Sequence, residues 1–174
     1  MADRIRFDVS GLDDVKRKMA QLKADVIHRT GRAALRRAAI VLREQARSNA
    51  RRIDDHETAE AIWKNIDVRW DARSYRANGT LGFRVGVLGG ARKYADTKAN
   101  RRAGRAGADM AAPGSSGNPG GDTWYWRMKE FGTSKMPAQP ILRPVGEQAG
   151  QEAVDTFARF FNQGLNRAIK RNTK

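Results

Sequence analysis

The sequence predicts an α+β fold, in which a small antiparallel sheet packs against a long N-terminal helix and a C-terminal helix. Apolar residues recur at helical spacing over about residues 12–52, and a second helical stripe follows Pro144. Between them, two runs alternate apolar and polar residues around the turn dipeptide Asn78-Gly79. A chain of 174 residues suits one domain. We therefore expect a single domain over residues 1–174.

The N-terminal part predicts a short strand followed by one long helix or two helices in tandem. Residues 5–9 alternate apolar and polar side chains, as in a strand that is covered on one face. From Leu12 to Ala50 the apolar positions return every three or four residues, which is an amphipathic helical pattern. Thr30-Gly31 lies within this stretch and is expected to interrupt or kink it.

The central part predicts a β-hairpin. Residues 66–70 and 81–87 both alternate apolar with charged or small residues. Asn78-Gly79 lies between them and tolerates the positive φ angles of a tight hairpin turn. The first strand is expected to fray or bulge between Asp71 and Tyr75.

Residues 89–123 differ in kind from the rest of the chain. Glycine, proline and serine recur there, and large apolar residues are almost absent. A span of this length without secondary structure is uncommon inside a compact domain and usually marks function or disorder. We expect a flexible, basic, glycine-rich excursion from the hairpin. Its basic residues are Arg92, Lys93, Lys98, Arg101, Arg102 and Arg105.

After the excursion, the sequence predicts another strand and then the C-terminal helix. Trp124, Trp126 and Met128 alternate with other large residues, which predicts a strand with aromatic residues on both faces. Prolines at 137, 140 and 144 exclude regular structure up to residue 144. Pro144 suits the first position of a helix that continues to the C-terminus.

Residue types exclude several kinds of chemistry. The chain has no cysteine, so disulfides, thiolate metal sites and cysteine nucleophiles are excluded. The run Asp54-Asp55-His56-Glu57 offers metal-ligating groups, but adjacent residues point in different directions and no second acidic cluster completes a site. We interpret these residues as a loop that caps the following turn. No nucleophile elbow and no phosphate-binding loop occurs. The sequence therefore predicts neither an enzyme nor a cofactor or metal site.

The net charge of +15 leaves two interpretations open. A basic protein favours nucleic acid or another anionic partner, and the aromatic residues near Arg127 could stack on bases. The charge is spread along the chain, however, as on solvated helix faces. A basic DNA-binding or packaging-accessory protein is therefore the alternative function. No apolar run reaches the roughly 20 residues that cross a bilayer, and residues 1–10 do not resemble a signal peptide, so we expect no membrane partner.

Residues 124–144 read WYWRMKEFGTSKMPAQPILRP. This stretch resembles the signature of the tail-completion, or head–tail joining (neck), proteins of long-tailed bacteriophages. That signature combines a tyrosine–tryptophan strand, Glu-Phe-Gly-Thr, a Met-Pro-Ala-x-Pro turn and a Leu-Arg-Pro helix start. Three features depart from the family: Ile141 stands where phenylalanine is common, residues 54–62 lack the proline and glycine of many members, and the 89–123 excursion is long. The matching residues are Glu130, Phe131, Gly132, Thr133, Met136, Pro137, Ala138, Pro140, Leu142, Arg143 and Pro144.

The resemblance implies a structural virion protein at the head-proximal end of the tail. Such a protein would form a cyclic homo-oligomer, expected to be a hexamer, assembled in the host bacterial cytoplasm. Its partners would be the tail tube protein, the head connector or stopper protein, and the genomic DNA that passes through the lumen. The basic residues of the excursion would contact DNA or neighbouring subunits. The expected protein-interface residues are Trp124, Trp126, Glu130, Phe131, Gly132, Thr133, Met136, Pro137, Pro140, Arg143 and Pro144.

Overall fold

The computed structural model describes residues 11–54, 61–88, 93–94, 96–108, 119–121 and 123–172. Long helices and one small two-stranded antiparallel sheet confirm the predicted α+β class. The strand predicted at residues 5–9 lies outside the described residues. The elements are α1 Leu12–Ala20, α2 Ala24–Arg51, α3 Ile62–Asn65, β1 Ile66–Trp70, α4 Ala72–Asn78, β2 Phe83–Val87, α5 Lys98–Arg102, α6 Trp126–Phe131 and α7 Val145–Asn172.

Two tandem helices, α1 and α2, account for the N-terminal helical pattern. The break falls at residues 21–23, and the predicted interruption at Thr30-Gly31 is wrong because α2 continues through it. A β-carbon at position 31 would lie 3.4 Å from Leu81 Cδ1. Glycine therefore lets a neighbouring segment approach closely, and such packing outweighs its poor helix propensity.

The predicted pairing of two antiparallel strands is confirmed, but the predicted tight turn between them is wrong. The connection contains helix α4, which begins where Asp71 accepts hydrogen bonds from the amide and hydroxyl of Ser74. Gly79 ends α4 with φ 71°, and its amide donates to the carbonyl of Tyr75. The Asn-Gly dipeptide thus supplies a helix C-cap, which uses the same positive φ as a hairpin turn.

The strand predicted at residues 124–129 is also wrong, because helix α6 occupies this region. Its first turn is closed by bonds from the amides of Met128 and Lys129 to the carbonyl of Tyr125. The run is too short for its alternation to exclude a helix. Gly132 then ends the helix with φ 75°.

The described part of the 89–123 excursion contains secondary structure, contrary to the expectation of a structureless span. The hydroxyl of Thr97 accepts a hydrogen bond from the amide of Asn100 and caps α5. Arg101 pairs with Asp96 at 2.7 Å, and Arg105 lies over the ring of Tyr94. Short-range capping and ion pairs therefore order this basic stretch without large apolar residues.

The chain divides into two compact units, one of residues 1–45, 68–85 and 145–174 and the other of residues 46–67 and 86–144. In the first unit, Ala34, Phe161 and Leu165 form a buried cluster between α2 and α7. The predicted C-terminal helix is confirmed, and α7 begins directly after Pro144. The single domain expected from the chain length stays a prediction.

Candidate protein interface

The signature segment, residues 124–144, folds around the buried carboxylate of Glu130, which is 1% exposed. One carboxylate oxygen accepts hydrogen bonds from the amides of Ile141 at 2.6 Å and Leu142 at 2.9 Å. The other accepts from the amide of Arg143 at 3.0 Å. Three backbone amides therefore donate to one carboxylate group.

Arg143 adds a second connection between the same two stretches of chain. Its guanidinium donates to the carbonyl of Glu130 at 2.5 Å and lies 3.5 Å from the carboxylate. It also lies 5.4 Å from the ring centroid of Phe131, within the range of a cation–π contact. Together these contacts fix residues 141–143 against the end of α6.

The loop after α6 folds back on the helix through a turn that requires glycine. Gly132 has φ 75° and ψ 175°, a backbone conformation that is almost restricted to glycine. A β-carbon there would lie 2.9 Å from the amide nitrogen of Ala138. Thr133 and Met136 form a β-bridge, and the amide of Gln139 donates to the carbonyl of Lys129 at 2.7 Å. The prolines at 137 and 140 therefore lie in a loop with a defined path.

An exposed apolar surface lies on the outer side of α6 and the turn before it. Trp124, Met128 and Phe131 are 53%, 42% and 65% exposed. Met128 and Phe131 lie three residues apart on α6 and share one of its faces, and Trp124 lies in the turn that precedes the helix. We call these three side chains the apolar face. Large apolar side chains clustered at the surface are typical of protein–protein contacts.

The other expected interface residues differ in accessibility. Thr133, Pro137, Pro140 and Arg143 are exposed, whereas Trp126, Gly132, Met136 and Pro144 are half-buried. Glu130 is buried and contacts its own chain, so it shapes the apolar face rather than contributing surface to it. The structure thus brings the signature residues together in one segment with distinct roles.

The basic residues of the excursion lie at the surface where the structure describes them. Arg92 lies outside the described residues. The hydrogen bond from Arg101 holds the pKa of the Asp96 carboxyl below its usual value, so this pair is charge-compensated. Among the described residues, Lys93, Lys98 and Arg102 form no ion pair and are exposed.

Asn65 is a structural residue that sequence reasoning missed. It is fully buried and donates hydrogen bonds to the hydroxyl of Thr123 at 2.7 Å and to the carbonyl of Gly121 at 3.2 Å. It accepts a third from the amide of Gly120 at 2.7 Å. The chain is therefore fixed directly before the apolar face begins. A single asparagine between Lys64 and Ile66 carries no sequence signal for such a role.

The acidic run at 54–57 is described only at its first residue. The carboxylate of Asp54 accepts hydrogen bonds from the amides of Ile62 at 3.1 Å and Trp63 at 3.2 Å, as predicted for a residue that caps the following turn. Asp55, His56 and Glu57 lie outside the described residues. Within the described ranges, no three acidic or histidine side chains come close enough to share a metal ion.

None of the helices in the described part of the chain combines the length and apolar character needed to cross a bilayer. Comparison of the chain with protein-family models, curated proteins and solved structures found no match in any of the three.

Proposed function

We propose that this chain is a structural virion protein that completes the head-proximal end of a bacteriophage tail and joins it to the head connector. The proposal rests on the apolar face of Trp124, Met128 and Phe131, presented by the segment that resembles the neck-protein signature. Exposed apolar side chains on α6 and the turn before it are typical of a surface that binds another protein.

The contacts behind this face support an assembly function. Glu130 receives three backbone amides, and Arg143 reaches both Glu130 and the ring of Phe131. These contacts fix the face before a partner arrives, which lowers the entropy lost on association. A rigid face on one subunit that contacts a different surface on the next can close a ring. The proposed ring is a hexamer around the DNA channel, between the tail tube protein and the head connector or stopper protein.

The mass of the purified chain, measured by light scattering over a range of concentrations, tests self-assembly. We expect a discrete multiple of 19.4 kDa, with six copies as the predicted number. The variant Met128→Ser/Phe131→Ser should shift the mass to that of one chain because it removes the apolar face.

Leu12→Ser is the matched control, because Leu12 is also exposed, at 52%, but lies on α1. This variant should assemble as the unchanged chain does. A chain that is monomeric at every concentration, or a mass that Leu12→Ser lowers as much as the double variant does, would count against the ring.

A further inference from the structure

A groove lined by arginines lies in the first unit, on the side of α2 that faces the sheet. Four arginines of α2 line it, and Trp70 and Phe83 contribute aromatic side chains from β1 and β2. The cavity has a volume of about 790 Å³. We call this surface the arginine groove; its basic residues are Arg29, Arg32, Arg36 and Arg37.

A second, smaller cavity adjoins the arginine groove and extends its charge. It has a volume of about 310 Å³, shares Arg29 and Arg37 with the groove, and adds Arg167 from α7. Among the described residues that line the two cavities, none is acidic. Five arginines therefore line these two neighbouring cavities.

Within the part of the chain that the structure describes, these arginines differ from several others in having no acidic partner. Arg17 pairs with Asp14, Arg84 with Asp71 and Arg101 with Asp96. By contrast, none of the five groove arginines forms an ion pair with any residue that the structure describes. Like charges held together on one surface repel each other, and an anionic ligand relieves that repulsion.

The spacing of the groove arginines matches a polyanion. Arg29, Arg32 and Arg36 occupy positions i, i+3 and i+7 of α2, so they share a face and span about 10 Å along its axis. One strand of duplex DNA presents a phosphate about every 3.4 Å of helix axis, so this span faces about three phosphates. The guanidinium of Arg32 lies 4.2 Å from the ring centroid of Trp70, which restricts its orientation.

The hydrogen-bonding character of the groove distinguishes a phosphate backbone from a peptide. Its lining consists of arginines and of alanine, aliphatic and aromatic residues, so every polar side chain in it is a donor. A peptide would bring N–H donors that these side chains cannot accept, whereas a phosphodiester backbone brings only acceptors. Guanidinium groups also bind phosphate oxygens in a bidentate manner.

We propose that the arginine groove binds the phosphodiester backbone of nucleic acid, without reading the base sequence. The groove shares no residue with the apolar face or with the basic excursion, and the inference does not depend on formation of a ring. The groove holds DNA by charge, so its affinity must fall steeply with salt.

Fluorescence anisotropy of a short labelled DNA duplex of random sequence, titrated with the full chain between about 50 and 200 mM salt, measures this binding. The groove variant is Arg29→Gln/Arg32→Gln/Arg36→Gln, and the matched control is Arg52→Gln/Lys64→Gln/Lys135→Gln. Both remove three positive charges from exposed positions. Helix content by circular dichroism, equal to that of the unchanged chain, establishes that each variant is folded.

We expect the groove variant to lose at least about tenfold in affinity and to flatten the slope of log K against log salt by about 2 to 3, since each neutralised phosphate contributes about 0.9. The control should stay within about threefold of the unchanged chain. A third variant, Arg29→Lys/Arg32→Lys/Arg36→Lys, keeps the charge and should retain the salt slope with weaker binding.

Three results would overturn the proposal. The first is a control that loses as much affinity as the groove variant, which would mean that only total charge matters. The second is a groove variant that binds as the unchanged chain does. The third is displacement of the duplex by polyglutamate at equal charge concentration, which would assign the groove to an acidic protein. The mass measurement of the ring is unaffected by any of these results, so the two proposals can fail separately.

Discussion

The carboxylate of Glu130 accepts a hydrogen bond of 2.6 Å from the amide of Ile141, and both residues are buried. This bond links the end of α6 to the stretch that precedes α7, across a loop with two prolines. Because Glu130 also receives the amides of Leu142 and Arg143, the loop has fixed ends. The exposed residues of the segment therefore owe their positions to one buried side chain.

The first prediction concerns that side chain. Glu130→Gln keeps the size of the residue but directs an amide group toward backbone donors. We expect a loss of about 2 to 3 kcal/mol in the free energy of unfolding, because the backbone amides of residues 141–143 lose their carboxylate acceptor. Urea denaturation followed by circular dichroism measures it. The matched control is Glu152→Gln on the exposed side of α7, which should change stability by less than about 0.5 kcal/mol. Equal stability of the two variants would contradict this role for Glu130.

The second prediction concerns the turn at Gly132. Gly132→Ala places a β-carbon 2.9 Å from the amide nitrogen of Ala138 in a backbone conformation with φ 75°. We expect destabilisation of about 1 to 3 kcal/mol, the cost of holding a residue in such a conformation, or a displaced loop. Gly86→Ala is the control, since a β-carbon there meets nothing within 4 Å. Thermal denaturation of both variants separates a strained position from a general intolerance of alanine.

Periodicity predicted the long elements of this fold and failed at the short ones. The apolar helical pattern from Leu12 onward extends over many turns, so it predicts helices reliably. The break between them was expected at Thr30-Gly31 but lies at residues 21–23. Six residues of α6 are too few to separate a period of 2 from a period of 3.6. Asn78-Gly79 could not distinguish a helix end from a hairpin turn, because both structures use a residue with positive φ. Local capping by Asp71 decided between them.

The apolar face and the arginine groove also differ in how far the sequence predicts them. Trp124 and Phe131 of the apolar face were expected at an interface because of the family resemblance of their segment, whereas the exposure of Met128 was not predicted. The arginine groove could not be predicted, because the periodicity of α2 identifies its apolar positions and not the placement of its arginines. Trp70 and Phe83 also lie far from Arg29 in the sequence, and only folding brings them to one cavity.

The third prediction concerns the pH dependence of stability at the start of α4. The side chain and amide of Ser74 donate to Asp71, and Arg84 lies 2.9 Å away, so the pKa of the Asp71 carboxyl is below its usual value of 3.8. A carboxyl with a lowered pKa stabilises the fold above its usual pKa, and this contribution is lost as the pH falls through the folded-state value. Asp71→Asn should therefore lower stability at neutral pH and weaken its decline on acidification. Urea denaturation from neutral pH to about pH 2 tests this, and parallel curves for the two proteins would contradict it.

The fourth prediction concerns the contact between Gly164 and Thr30, on α7 and α2 in the first unit. A β-carbon at position 164 would lie 2.4 Å from Thr30 Cγ2, so this close approach depends on glycine. Gly164→Ala alone should be destabilising, although alanine favours a helix over glycine by about 1 kcal/mol.

Thr30→Ser removes the obstructing methyl group and leaves the hydroxyl. The double variant Thr30→Ser/Gly164→Ala should therefore regain the stability lost by Gly164→Ala. A double-mutant cycle by urea denaturation should show a favourable coupling of at least about 0.5 kcal/mol, because the two positions are in direct contact. Additive effects would mean that the helices separate to admit the alanine, and the close approach would then not be a constraint on this fold.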